Sequence, residues 1–228
     1  VLSAQGELKA QGQNLAGGRI VAGGSRVDFG GSRTRAKHIT LTAAREDVST
    51  AGAVVRGHEG VSLQSPVMVD NTGGSVSGGT LSLQAPGLNN TRGLLRQEDG
   101  QALSLSHAVL HNNQGTLVSG GSLALRAERI ENQGGTLAAN GRDMQVEARI
   151  LDNRQGTVQL AGDGQLQVQA DELHGHEGAL LATGALRLTG RQTDLSAGRT
   201  RARQITAETG SLNNDAGTCR RAAVTACS

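Results

Sequence analysis

Aromatic side chains are almost missing from this sequence. There is no Trp and no Tyr, and Phe29 is the single Phe among 228 residues. A globular core of this size ordinarily uses rings to fill irregular gaps. A core built only from Leu, Val, Ile and Ala points instead to a narrow, regular interior whose layers repeat. Cysteine is confined to Cys219 and Cys227 in the last ten residues, which excludes a disulfide framework. A body without Cys is compatible with export. Proline occurs twice, so even with 34 Gly the Pro-plus-Gly content stays below the level of low-complexity disorder. No run approaches the ~18 apolar residues that span a bilayer. The N-terminus, Val1-Leu2-Ser3-Ala4-Gln5, has no charged region followed by an apolar run and does not read as a signal peptide. The chain opens without Met and already in repeat-like sequence, as a piece of something longer would. A net charge of +2 gives no reason to expect nucleic acid as a partner.

What is present is a repeat: an aliphatic residue, any residue, Asn, two more residues, then Gly. It runs through Val69-Asp70-Asn71, Leu88-Asn89-Asn90, Leu110-His111-Asn112, Ile130-Glu131-Asn132, Leu151-Asp152-Asn153 and Leu212-Asn213-Asn214. Leu173-His174-Gly175 is a variant with Gly for Asn. The closing glycines from Gly74 to Gly178 step by 19, 22, 20, 21 and 22 residues, and the next step, to Gly217, is 39, or two periods. A fixed period near 20 marks a solenoid. Within each period an aliphatic pair flanks one polar residue, as at Leu103 and Leu105, Leu123 and Leu125, Met144 and Val146, and Leu186 and Leu188. That alternation is the strand period of two with one face buried.

Each period is expected to hold two or three short strands: one after the Asn corner (Thr116-Leu117-Val118), one at the Leu-x-Leu pair, and one approaching the next Asn (Glu128-Arg129-Ile130). No segment sustains the apolar spacing of a helix. A coil that returns to the same phase stacks as parallel strands ~4.8 Å apart, so ten or eleven coils make a rod of ~50 Å. The fold class is therefore all-β, a parallel β-helix, right-handed by the crossover rule. Leu83, Leu105, Leu125 and Leu188 should line one interior column. The corner glycines are expected to supply backbone angles that other residues resist. The corner asparagines Asn71, Asn90, Asn112, Asn132, Asn153 and Asn214 are expected to hydrogen-bond along the rod.

Two segments interrupt the period. Arg33-Thr34-Arg35-Ala36-Lys37 and Arg199-Thr200-Arg201-Ala202-Arg203 lie 166 residues apart, or eight periods. Alternation places Arg33, Arg35 and Lys37 on one face of a strand, and Arg199, Arg201 and Arg203 likewise. Such basic ladders could hold sulfated glycans or anionic lipid surfaces by charge, or simply keep a strand edge solvated.

These corners and strands, with the phrase Val27-Asp28-Phe29-Gly30-Gly31-Ser32-Arg33-Thr34 leading into Ile39-Thr40-Leu41-Thr42, resemble the haemagglutinin repeats of filamentous haemagglutinin. They also resemble related exoproteins of two-partner secretion, including contact-dependent growth inhibition proteins. The resemblance covers residues 6 to about 217. It implies a structural stalk of a large adhesin-type exoprotein, secreted to the cell surface of a Gram-negative bacterium. It also implies an outer-membrane transporter as partner during secretion, and host or neighbouring-cell glycans or receptors reached through the parent protein. Residues 1–217 form the repeat body on this reading, and 218–228 a last coil or irregular cap. The chain lacks Arg-Gly-Asp and the Asn-Pro-Asn motifs of the family's secretion domain, as interior stalk would. Exposed strand edges at both ends would favour end-to-end self-association.

An enzyme is the rival class, because β-helices also carry polysaccharide-cleaving sites. Those gather carboxylates on one outer face. Asp47, Glu59, Asp70, Asp99, Asp143 and Asp171 show no common phase, and no nucleophile or phosphate-loop motif is present. No enzymatic activity and no cofactor are expected. His174, His176 and Glu177 could hold a metal, but a zinc site needs three or four converging ligands. The second Gly-His-Glu-Gly, at residues 57–60, lies some six coils away, so a solvated corner and no metal are expected. Gly162-Asp163-Gly164 occurs once, where calcium-binding rolls repeat their nonapeptide. Cys219 falls at the inward position of Leu117 and Leu137, and Cys227 at that of Leu125 and Leu188. Burial in the last coil, a closing disulfide and an irregular cap all stay open.

Overall fold

Short apolar alternations separated by four-residue corners leave the chain one way to satisfy its backbone: each strand pairs with its counterpart one period earlier and one period later. The computed structural model, which describes residues 1–221, is built that way. Every ladder among the described residues is parallel. The strands form a 13-stranded and an 11-stranded sheet in a solenoid of about 11 coils of ~20 residues. There is no helix among the described residues. The core is one continuous aliphatic cluster from Leu8 to Ile205, in which layers of Leu, Val, Ile and Ala make large rings unnecessary. Phe29, fully buried, is the exception.

Two interruptions expected from the sequence do not occur. Arg33 lies in the strand Arg33–Ala43 and Arg199 in Arg199–Ala202, both in ordinary register with their neighbours. Following the pairs from Arg33 through Val54, Ser75, Leu94, Thr116, Thr136, Thr157 and Ala179 to Arg199 gives eight strand steps. The offset of 166 residues is thus eight coils, about 38 Å along the rod. The step of 39 residues also holds a corner that the Asn pattern hides. Thr193-Asp194-Leu195 pairs with Leu173-His174-Gly175, with Leu195 in the place of Asn.

Of the two or three short strands expected per coil, the main body of the rod forms two, because neighbouring segments run together. In the first part of the rod the post-corner strand and the Leu-x-Leu strand run together, as Arg33–Ala43, Val54–Gln64 and Ser75–Gln84. These strands kink between Ala36 and His38 and between Gly78 and Thr80. In the second part the Leu-x-Leu strand instead joins the approach to the corner, as Leu123–Glu131 and Met144–Asp152. There the inward side switches from Leu123, Leu125 and Ala127 to Ile130, and Glu128 is skipped in the ladder, so the strand bends at that residue.

The interior Leu column follows this change. Leu41, Leu63 and Leu83 pair in the 13-stranded sheet. Leu105, Leu125, Val146, Val168 and Leu188 pair in the 11-stranded sheet. All are buried in the same core, but no ladder joins Ser75–Gln84 to Leu103–His111. Side chains close this seam. The buried Gln97 accepts from the Leu81 N–H at 3.1 Å and donates to the Gln101 carbonyl at 2.7 Å. Donation by His107 Nδ1 to the Ala85 carbonyl, at 2.7 Å, holds the next corner.

Candidate functional site

The corner asparagines form a single-file column. Asn71 Nδ2 donates to Asn90 Oδ1 at 2.8 Å, Asn90 to Asn112 at 2.7 Å, Asn112 to Asn132 at 2.7 Å and Asn132 to Asn153 at 2.7 Å. The Thr50 hydroxyl starts the chain by donating to Asn71 Oδ1 at 2.9 Å. Each amide also bonds a carbonyl of the next coil, and all but Asn90 bond one of their own corner as well, as Asn112 does with Thr136 and Gly115. Asn71, Asn90, Asn112, Asn132 and Asn153 are buried, and a buried amide must be satisfied in this way. The column stops at Gly175, where Leu195 Cδ2 fills the space. Asn214, beyond Gly175 and Leu195, is exposed and stands outside it. At the other end Phe29, the lone aromatic, takes the Asn position of its coil.

The closing glycines do not serve the purpose expected of them. The residue with positive φ is the one before: Gly73 and Gly134, but also Arg92 (55°), Gln114 (57°), Gln155 (56°) and Glu177 (55°). A Cβ at Gly93, Gly115, Gly135 or Gly156 would instead collide with the backbone carbonyl of the Asn one coil earlier. Close approach between coils, rather than a left-handed backbone, demands glycine there.

Of the acids read as scattered, Asp47, Glu59, Asp99, Asp143 and Asp171 stay out of phase with one another, and only Asp70 joins an acidic column, whose other members lie outside that set. The position before the corner residue carries an acid in five coils, Asp28, Asp70, Glu131, Asp152 and Asp194, and Ser49, Asn89, His111, His174 or Asn213 in others. Asp70, Asp152 and Asp194 accept from the N–H two residues on, at 3.0–3.2 Å, which folds the corner. Burial alone would push the Asp152 carboxyl up, but hydrogen bonds from Arg154 and Gln133 outweigh it and hold the group below its ordinary value. Partial burial likewise works to raise the half-buried Glu131, and hydrogen bonds from Arg129 and His111 outweigh it and lower the group. Their oxygens are spent on corners and neighbouring coils rather than aimed at a cleft. His174 faces Glu172 at 3.8 Å, while His176 meets Ser196 at 3.0 Å and Glu177 at 3.8 Å. No group of three His, Cys, Asp or Glu converges among the described residues.

The basic trios point outward as alternation requires. Arg33, Arg35, Arg199 and Arg201 are exposed, with Thr34, Ala36, Thr200 and Ala202 buried between or beside them. Lys37 sits at the kink and pairs with Glu59 at 3.6 Å. Arg203 lies just past its strand. The trios occupy the same columns but are not brought together. Register adds members that the trios did not reveal: Arg56 beside Arg35, Arg96 two steps further, and Arg220 beside Arg201. Arg56 follows Arg35 by 21 residues and Arg220 follows Arg201 by 19, so the coil period was the signal for both. Arg199, Arg201, Arg203 and Arg220 line an open cavity of about 1020 Å³. Cys219 lies half-buried in the inward column of Leu117, Leu137 and Thr200. Cys227 is outside the described residues.

A stack of near-identical coils with hydrogen-bonded corners defines a repeat protein whose structure is its length. The profile of the haemagglutinin repeat family matches residues 100–170 and again 161–226, together more than half of the chain, and the chain belongs to that family. Comparison with curated proteins and with solved structures gives no match.

Proposed function

We propose that this chain is a stalk segment of a large bacterial exoprotein of the adhesin type, secreted through an outer-membrane transporter and holding attachment segments away from the cell surface. The observation that carries the reading is the continuous post-corner column from Gln13 to Thr218, on which no coil departs from the common phase. A rod stabilised by nearest-neighbour stacking transmits position rather than chemistry. Membership in a repeat family of structural, adhesin type supports the same conclusion.

The test is a register-preserving excision. Removing residues 33–198 from the displayed parent protein joins Ser32 to Arg199, which occupies the column position of Arg33. Cell attachment should persist with a reach shorter by ~38 Å, measured by electron microscopy of the bacterial surface. Attachment abolished with a correctly folded, correctly displayed product would show that this segment makes the contact itself.

A further inference from the structure

The post-corner face of the 13-stranded sheet differs in charge from the rest of the rod; the sheet's Glu59 lies past it at the kink, paired with Lys37 and His38. The post-corner strands present two outward columns, one from Gln13 to Thr218 and the other from Leu15 to Arg220. Neither column contains an Asp or a Glu in any coil. They hold Arg33, Arg35, Arg56 and Arg96 toward one end and Arg199, Arg201 and Arg220 toward the other. Of these only Arg56 has an acidic partner, Glu98 at 3.7 Å; the others form no ion pair among the described residues. The 11-stranded sheet does the opposite. There Arg126 meets Glu147 at 2.7 Å, Arg187 meets Glu208 at 2.8 Å and Arg129 meets Glu131 at 2.8 Å, so that face is internally neutralised.

Two further features describe what complements the acid-free face. Leu15 and Val54, 68 % and 50 % exposed, are among the most exposed aliphatic residues of the chain, and both lie on it. The positions between Arg96 and Arg201, five strand steps or about 24 Å, are uncharged: Val118, Ala138, Gln159 and Leu181 in one column, Thr116, Thr136, Thr157 and Ala179 in the other. A linear polyanion lying along the rod would cross this stretch without a counter-charge. A second copy of the same face would meet arginine with arginine. A planar anionic surface touches both arginine clusters at once, and its headgroup layer accepts aliphatic side chains and arginine stems.

We propose that this face docks flat on an anionic lipid bilayer, with the arginine clusters at both ends on lipid phosphates and Leu15 and Val54 in the interfacial layer. The net charge of the whole chain is only +2, so attraction comes from segregation of charge onto one face rather than from its total. The stalk reading does not depend on this, and either can fail alone.

The test is co-sedimentation of the folded chain with vesicles of phosphatidylglycerol and phosphatidylcholine, against vesicles of phosphatidylcholine alone, with heparin–agarose in parallel. Binding should require phosphatidylglycerol and fall steeply between about 0.1 and 0.5 M salt. It should drop at least about tenfold in the Arg33→Gln, Arg35→Gln, Arg199→Gln, Arg201→Gln variant. The Leu15→Ser, Val54→Ser variant should lose a few-fold. The control Arg126→Gln, Arg187→Gln, which removes charge from the other sheet, should bind as the parent does. Absence of sedimentation, an equal loss in the control, or retention on heparin without vesicle binding each overturns the proposal, the last in favour of a sulfated polymer.

Discussion

The coils between Arg33 and Gln84 and those between Leu103 and Asn213 share one repeat but close it differently. The first group kinks after the post-corner strand, at Ala36, Gly57 and Gly78, and breaks before the next corner at Ser65-Pro66 and Ala85-Pro86. The second group breaks after the post-corner strand and bends later, over Ala127, Ala148 and Ala170. Both prolines of the chain stand in the first group, where the strand is interrupted. Proline cannot donate to a ladder, so it is tolerated at that break and excluded from the continuous bend. Small alanines line the bend because a larger side chain there would face the turn of the strand. His107 holds this position in the first bent coil, under the Ala85-Pro86 corner. The same period can therefore be wound two ways, and the seam between them is closed by side chains.

The largest effect should come from testing the closing position in both groups. Gly135→Ala drives a methyl group into the Asn112 carbonyl and the Asn132 side chain, and should lower stability by roughly 3–5 kcal/mol in urea unfolding. In the first group that position already carries Ala53, and Ala53→Gly should shift stability by less than about 1 kcal/mol. Near-equal effects would contradict the reading that the carbonyl of the previous coil demands glycine at residue 135.

The Asn column comes next. Asn112→Ala leaves Asn132 Oδ1 without its donor inside the rod and should cost about 2–4 kcal/mol. Asn214→Ala, outside the column, should stay within about 0.5 kcal/mol.

The seam should show in the pH dependence. Burial lowers the His107 pKa below its ordinary value of 6.5, the Ala85 carbonyl opposing this only in part. An unfolded chain takes up the proton first, so stability should be intact above about pH 6.5 and fall as pH drops below it. His107→Ala, which continues the alanine column, should abolish that slope. The lowered carboxyls of Asp152 and Glu131 act at lower pH, where stability is lost as each is protonated. A slope near pH 6 unchanged by His107→Ala would remove the histidine from the seam.

The smallest effect is expected at the left-handed corner residue. Gln155→Gly should be neutral or stabilising by up to ~1 kcal/mol, and Gly134→Ala destabilising by a similar amount.

Much of this fold was legible. The Leu-x-Leu spacing located the inward columns, and the Asn spacing located a hydrogen-bonded file that begins one residue type earlier than expected, at Thr50. What was not legible depends on neighbours a coil away. Leu195 hides a corner because a leucine there substitutes for an amide only when Gly175 below it leaves room. The closing glycines look like turn residues until the carbonyl of the previous coil is placed against them. The arginine face was half visible: the trios stand out along the chain, whereas Arg56, Arg96 and Arg220 join them only once register is known. The same holds for the acidic corner column, whose members lie one to three coils apart and look scattered when read in line.

The Asn file has a direction. Every amide hands its hydrogen toward the C-terminal end and accepts from the N-terminal side, from the Thr50 hydroxyl through to Asn153. The rod thus has a head and a tail at the level of single bonds, and further coils can extend the file in one orientation only. A duplicated block of whole coils keeps that orientation automatically, which makes copying and insertion within the gene a safe way to lengthen such a molecule. Two blocks joined within the file in opposite senses would set acceptor against acceptor or donor against donor, so lengthening from within is confined to a single polarity.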